Sequence, residues 1–513
     1  MEAAGALGRW RPGGFLEQMR DAVRARSRAF WIVAGLTLLA AGLRLATLDV
    51  QSYHHDEIVT ASRVLRGSFG HAMDVVGFSE SAPPLYYALA WLWVQIVGTG
   101  EFGLRSLSAL AGIATVPVVY LIGLELRGRR AGILAAALVA VNPMLVWYSQ
   151  EARGYSLLAL FGAAALLYFV RALERGRRND IVGWGVMSAL ALATHYFAIF
   201  PIVFEGAWLL WRRGRMAAVG AGIIVATGIG LAPLAIHQTL QGHADWIGDH
   251  SLGHRLWEVA ATFAVGETGE VIAQPERLTP AIVPVAAMAL ALALLAARGE
   301  RGERRAAGVV LAIAAFTVAT PLAIAVVHPA ADFVLARNLI PALVPLLVAD
   351  AIGSTVRRAR GAGVAVAALL FAYSLGFTVA AAVSPSLQRV DWDSVADRLG
   401  EPRAPRAMIT WTLGQASLRY YLSTGSFQVR ASEEFPWYVH EIVFISDGDA
   451  PPVSRRLLGP GFAEAGYESV GALRIRRYAL PGPDVARLRL RKVDDARLNF
   501  GSNTVLLDGI GPG

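Results

Sequence analysis

From Ala29 to Val383 the sequence alternates apolar runs near the length that crosses a bilayer, about 20 residues, with short hydrophilic connections. Few folds are open to such a chain. Hydrocarbon offers no partner to a backbone N–H or C=O, so each crossing segment must satisfy its own groups, as a helix does. The runs are 29–48, 83–98, 107–124, 131–147, 156–173, 181–211, 216–236, 280–297, 306–327, 336–352 and 361–383. The stretch 181–211 is long enough for one kinked span or for two short ones broken near His195 and Pro201.

Five arginine-rich connections punctuate the runs: "RGRR" at 127, "RGRR" at 175, "RRGR" at 212, "RGERGERR" at 298 and "RRAR" at 357. Placing all five in the cytoplasm, as the positive-inside rule asks, requires two passes in 181–211 and one net crossing in 83–124. Two crossings in 83–124 with one long helix in 181–211 would strand two basic connections outside. Either way eleven crossings are expected, with the N-terminus inside and the C-terminus outside. Residues 1–28 form a basic cytoplasmic segment, and no small-residue cleavage site follows the first run, so it reads as a retained anchor. The net charge of +8 is accounted for by these connections, which removes the case for a nucleic-acid partner. The absence of cysteine excludes disulfides and thiolate metal sites. Only one of the 47 basic residues is lysine; with abundant Ala and Gly this bias suggests a GC-rich genome, and the expected location is a bacterial inner membrane.

Two long hydrophilic connections, 49–82 and 237–279, then lie outside. Beyond Val383 the apolar runs stop. "DWDSVADRLG" reads as an amphipathic helix, and "RAMITWTL", "FQVRAS" and "EIVFISDG" read as strands. The expected fold is a polytopic α-helical membrane protein (29–383) followed by an extracytoplasmic α/β or α+β domain (384–513), read as accessory.

Chemistry-bearing residues gather at the outer ends of the runs. "QSYHHDEIVT" sets Asp56 and Glu57 side by side just past the first run, after His54 and His55. Adjacent side chains point in different directions, so at most one faces a given site. Asp56 reads as a helix N-cap, as a general base for an acceptor hydroxyl, or with the histidines as a metal ligand, although no regular ligand spacing supports the last. Glu80 precedes Pro83-Pro84, a helix start, and brackets the same outer loop as Asp56, so both can reach one pocket. "NPMLVWYSQEARGYS" places Glu151 and Arg153 between two runs, where ionisable groups are expensive and tend to be paired. His195 and Tyr196 lie in an apolar stretch, where a lone histidine is usually a hydrogen-bonded core residue. In the second outer loop His243, Asp245 and Trp246 suit a sugar-binding surface, the indole stacking on a pyranose. Arg337, at the mouth of a run, either snorkels to the interface or holds a phosphate.

"PPLYYALAWLW", "RSLSALAGIATVPVVYLIG" and "NPMLVWYSQEARGYSLLAL" together resemble the membrane glycosyltransferases of the GT-C type. The resemblance is to the broad group of protein O-mannosyltransferases and lipid A aminoarabinose transferases, over roughly residues 30–350. It implies a polyprenyl-monophosphate sugar donor and a glycan, lipid or protein acceptor outside the cytoplasm. The family's catalytic aspartate in the first outer loop corresponds to Asp56, with Glu57 orienting or capping. The position before the proline pair often carries His or Lys in relatives; here it is Ala82, which moves the expected phosphate contact to Arg337 and Arg153. Glu80 matches a bacterial pattern, E-x-x-P-P-L-Y-Y, and is taken as a second catalytic carboxylate. Glu57, His55, Arg337, Arg153, His195, Tyr196, His243, Asp245 and Trp246 are the expected substrate contacts. The phosphate already leaves well, so transfer is expected to be metal-independent or weakly metal-assisted, with no cofactor required. A transporter or flippase of a lipid-linked sugar is the alternative, but the inverted repeat such a protein would show is not visible. A non-catalytic scaffold would have no use for ionisable groups at so many outer mouths.

Overall fold

The structure is a computed structural model. It describes residues 12–242, 247, 251–267, 280–329, 332–422, 427–429, 437–447, 458, 460–471, 473–487 and 503–508. The first helix, α1 (Pro12–Leu45), leads into an outer layer of short elements. These are α2 (His55–Val59), a π-turn (Thr60–Val64), α3 (Phe69–Ser79) and α4 (Leu85–Val97). Next come α5 (Glu101–Arg127), α6 (Arg129–Val141), α7 (Pro143–Ser149), α8 (Tyr155–Arg175), α9 (Arg178–Thr194), α10 (Ile199–Arg213) and α11 (Ala217–Thr239). The set closes with α12 (Leu252–Val265), α13 (Ile282–Arg298), α14 (Arg301–Val327), α15 (Ile340–Ser354) and α16 (Arg360–Val383).

By length and hydropathy seven helical segments among the described residues can cross a membrane, or eight counting α6 and α7, which meet at 55°, as one span. That count does not reach the eleven expected from sequence: α9, at 17 residues, and α13 are short, and Tyr196–Thr239, which holds both α10 and α11, counts once. Asn142 caps α7 by accepting from Leu145 N, with Pro143 in the first turn, so the bend is written in "N-P". The stretch 181–211 is not one helix. It breaks at His195, whose extended backbone ends α9, and a 3₁₀ turn over Tyr196–Ala198 restarts α10.

The five arginine-rich connections gather at the end of the bundle away from the outer layer. Arg127 pairs with Glu303 at 3.3 Å and Arg358 with Glu300 at 3.9 Å, while Glu303 also accepts from Arg357 N. Arg171 and Arg175 pair with Glu125, and Arg213 donates to the Ala172 carbonyl at the end of α8. All five therefore share one side, the arrangement that needs two passes in 181–211. Both ends of α4 stay with the outer layer: Tyr87 near its start holds Glu80, and the carbonyl of Thr99 just past its end accepts from Tyr53 Oη at 2.8 Å.

The C-terminal region has a six-stranded sheet in the order β2-β8-β1-β4-β6-β5. Its strands are β1 (Arg406–Trp411), β2 (Phe427–Val429), β4 (Glu441–Asp447), β5 (Ala463–Val470), β6 (Leu473–Ala479) and β8 (Asn503–Asp508); β3 (Tyr438–Val439) and β7 (Ala486–Arg487) make a separate pair. Among the described residues β1 and β4 pair in parallel, and the other pairs of the main sheet are antiparallel. The period-2 alternation of a strand gives each face its own core. Met408, Val443 and Ile475 pack under α17 (Trp392–Leu399) and α18 (Thr412–Tyr421), while Ala407, Ile409 and Phe444 fill the other face. Asp391 caps α17 by accepting from Ser394 N. The end of "RAMITWTL" and the start of "YYLSTG" belong to α18 rather than to a strand and a connector.

Candidate active site

The first outer loop sorts its two adjacent carboxylates. His54, not Asp56, caps α2: its ring accepts from Asp56 N, and Glu57 reaches back to accept from His54 N at 2.9 Å. The capping box leaves Asp56 and Glu57 on different sides of one turn. Glu57 points inward and is wholly buried. Arg105 of α5, also buried, grips it through Nε and Nη2 at 2.7 Å each, and Ala152 N donates to it at 2.7 Å. Burial raises the pKa of such a group, but Arg105 outweighs burial and holds Glu57 down at about 2. The same guanidinium also donates to the carbonyls of Leu48, Gln51 and Ser52, so it fixes the whole approach to α2.

Asp56 points the other way, into a cavity of about 630 Å³. Its carboxylate is 29% exposed and lies 3.6 Å from Arg337 Nη1. Burial pushes its pKa up; Arg153 and then Arg337 more than offset this and keep it well below the usual carboxylate range. Glu80 lies on the same cavity wall. Its Oε2 accepts from Tyr87 Oη and from Arg153 Nη1, both at 2.6 Å, while its Oε1 is buried with no hydrogen-bond partner. Burial raises Glu80 above the usual range, although Arg153 opposes it.

Arg337 and Asn338 begin the turn before α15, and both line the cavity. Their approach is pinned from α12, where Arg255 holds Asp332 by two bonds of 2.8 and 2.5 Å. His195 and Tyr196 reach the wall because α9 breaks there. Tyr196 Oη donates to Gln238 Oε1 at 2.8 Å, and Gln238 Nε2 donates to the carbonyls of Val76 and Ala82. Away from the charged end the cavity is apolar, lined by Leu192 of α9, Ile199 of α10, and Gly228, Leu231 and Ala235 of α11.

The structure thus brings together Asp56, Glu80, Arg153, His195, Tyr196 and Arg337. Glu57 and His55 are off the cavity wall, and Glu57 is already engaged in the loop's own framework. His243, Asp245 and Trp246 lie outside the described residues. Among the described residues no three His, Asp or Glu side chains converge as a metal site. Sequence reading missed Arg105, Tyr87 and Gln238. Tyr87 was visible in "PPLYY", seven residues on from Glu80; the other two act across long sequence separations and carry no local signal.

Residues 81–237 match the family model described as dolichyl-phosphate-mannose-protein mannosyltransferase. No curated protein matches the chain in sequence. Among solved structures, ArnT from Cupriavidus metallidurans in the apo state superposes with a TM-score of 0.54 at 14% identity, covering 88% of this chain and 98% of that one. The same enzyme bound to undecaprenyl phosphate gives 0.53 at 14% identity, covering 88% and 99%. At that identity the likeness is one of fold.

Proposed function

We propose that this chain is a multi-pass membrane glycosyltransferase of the GT-C type, which moves a sugar from a polyprenyl monophosphate to an acceptor hydroxyl outside the cytoplasm, with Asp56 as general base; the family-model match and the likeness of fold support the reading. The observation that carries the reading is the cavity itself. One end holds two guanidiniums and two carboxylates, and the other is an apolar slot between α9 and α11. A polyprenyl phosphate has the matching halves, an anion and a hydrocarbon tail. The undecaprenyl phosphate bound by the ArnT neighbour supports that donor class.

In the reaction the acceptor oxygen forms a bond to C1 of the sugar and gives its proton to Asp56. The C1–O bond to phosphate breaks on the opposite face, and its electron pair leaves on the phosphate, so the anomeric configuration inverts. Arg153 and Arg337 stabilise the charge that develops there. They also set the timing. In the free protein they hold Asp56 ionised but weakly basic. A donor phosphate between them neutralises their field, which raises the basicity of Asp56 when the acceptor hydroxyl needs it. The five basic connections lie opposite the cavity, so the positive-inside rule turns the cavity and the C-terminal domain outward, in a bacterial inner membrane.

The test is release of free polyprenyl phosphate from a panel of polyprenyl-phosphate sugars by wild type and Asp56→Asn. The substitution keeps shape and removes the base, and a fall of about a hundredfold or more is expected. Equal turnover by the two proteins would remove Asp56 from the reaction.

A further inference from the structure

We propose that the C-terminal domain positions the catalytic base, and that Arg389 is the positioning residue through which it does so. The role presumes the Asp56 chemistry proposed above. Arg389 follows α16 and precedes α17, so by sequence it belongs to the soluble domain, yet it is 5% exposed, and among the described residues its side-chain hydrogen bonds and ring contact go to the membrane part. Its backbone N donates to Gln51 Oε1 at 3.0 Å, Nη1 to the Gln150 carbonyl at 3.1 Å, and Nη2 to Glu151 Oε2 at 3.1 Å. The guanidinium lies 4.4 Å from the centre of the Trp147 ring.

These contacts fall on the segment that leads into the turn carrying Asp56 and on the segment that holds that turn through Glu57. Gln51 begins the three residues before the helix cap His54, and the next two are held from the same domain. Ser52 Oγ donates to Asp391 at 3.1 Å and accepts from Asp393 N at 3.0 Å. Tyr53 N donates to Tyr421 Oη of α18 at 2.6 Å, and that hydroxyl donates to Glu101 at 2.7 Å. On the second segment, Gln150 and Glu151 immediately precede Ala152, whose N–H fixes Glu57. Arg389 therefore fastens the strand entering α2 and the turn behind it at once. Asp56 inherits its direction from that turn, since among the described residues its side chain meets the cavity and its cations.

Arg389 does not line the cavity. Its loss should therefore leave donor binding in place and loosen the base, which lowers kcat and spares KM. Misplacing a reacting group by about 1 Å costs on the order of a hundredfold. A residue that only anchored the domain would lower stability without that split.

Two readouts on the full-length protein in nanodiscs test this. In hydrogen exchange, Tyr421→Phe and the charge-neutral pair Arg389→Gln/Glu151→Gln should each speed the amides of residues 54–58 by about tenfold or more, through local opening, with β1 and β4 still protected. The paired substitution is needed because Arg389→Gln alone strands a buried carboxylate and invites misfolding. In donor turnover the same variants should lose about tenfold or more in kcat with KM for the donor within about twofold. Unchanged exchange at 54–58 in both folded variants overturns the proposal, as does unchanged kcat. If wild type consumes no donor, the reading of function fails, and the exchange result alone still decides whether this domain holds the loop.

Discussion

At the scale of single residues, Asp56 and Glu57 show how one turn divides two like groups. Glu57 is an internal counter-ion, and Asp56 is a cavity group. Glu57→Gln leaves Arg105 buried with its charge unpaired, a loss of about 3–5 kcal/mol. Thermal unfolding should register it, with little protein surviving purification at the severe end. The Glu57 carboxyl is more acidic folded than unfolded, so its stabilisation is complete above the ordinary carboxylate range. It is lost as the pH falls toward about 2, and the gap between wild type and Glu57→Gln should close along that descent. Glu258 of α12 has the opposite sign: burial, then Glu267, raises it to about 7. Its neutral form favours the fold below the ordinary range, and that support fades as pH rises through about 7. Glu258→Gln should therefore raise the melting temperature at pH 8 and leave it nearly unchanged at pH 4. Asp56 and Glu80 were legible as chemistry from sequence. The partner that turns Glu57 inward was not legible, because it depends on which side of α2 faces Arg105.

At the scale of elements, close approach between helices decides where the loop ends sit. Gly112 of α5 lies against α7 and α1. A Cβ there would stand 2.0 Å from Ser149 Oγ and 2.9 Å from Arg44 Nε. Arg44 is buried and donates to Ser149 Oγ and to the Ala140 and Val139 carbonyls, so it has no room to yield. Gly112→Ala should cost about 1–3 kcal/mol by overpacking, read as a lower melting temperature. Adding Ser149→Ala, which removes the nearest atom, should recover part of it; no recovery would mean the strain lies in the α5 backbone. The helix break at His195 is a second such case. Hydropathy runs straight through 181–211, and the turn appears in sequence only as a polar pair beside apolar neighbours.

At the scale of the molecule, the basic connections on one end and the cavity on the other support the proposed orientation, which labelling can check. The chain has no cysteine, so single introduced ones report cleanly. With a membrane-impermeant maleimide on intact cells, Asp74→Cys in the outer layer should label, and Arg304→Cys at the start of α14 should label only after lysis. The reverse pattern would turn the cavity inward and remove the extracytoplasmic acceptor. The C-terminal sheet belongs to this scale as well. Its strands β1 and β4 were readable from alternation, whereas β8, which enters between β2 and β1 from the end of the chain, was not, since strand order is a long-range pairing.

By itself the sequence marked the apolar segments and the basic connections between them, and left two ways of threading 83–124 and 181–211. Apolar length demands helices in hydrocarbon, arginine clusters demand one aqueous side, and the Asp56, Glu80 and Arg153 stretches fall at the other. It also marked the local signals, such as "N-P" at α7, because caps and turns are written within a few residues. Only the tertiary structure decided which groups meet. Arg105 reaches Glu57 across 48 positions and Arg389 reaches Glu151 across 238. An ion pair buried at such separation leaves no trace in either local stretch. The physical reason is that burial and partner geometry are properties of the packed bundle, and these set which carboxylate is framework and which is free to act.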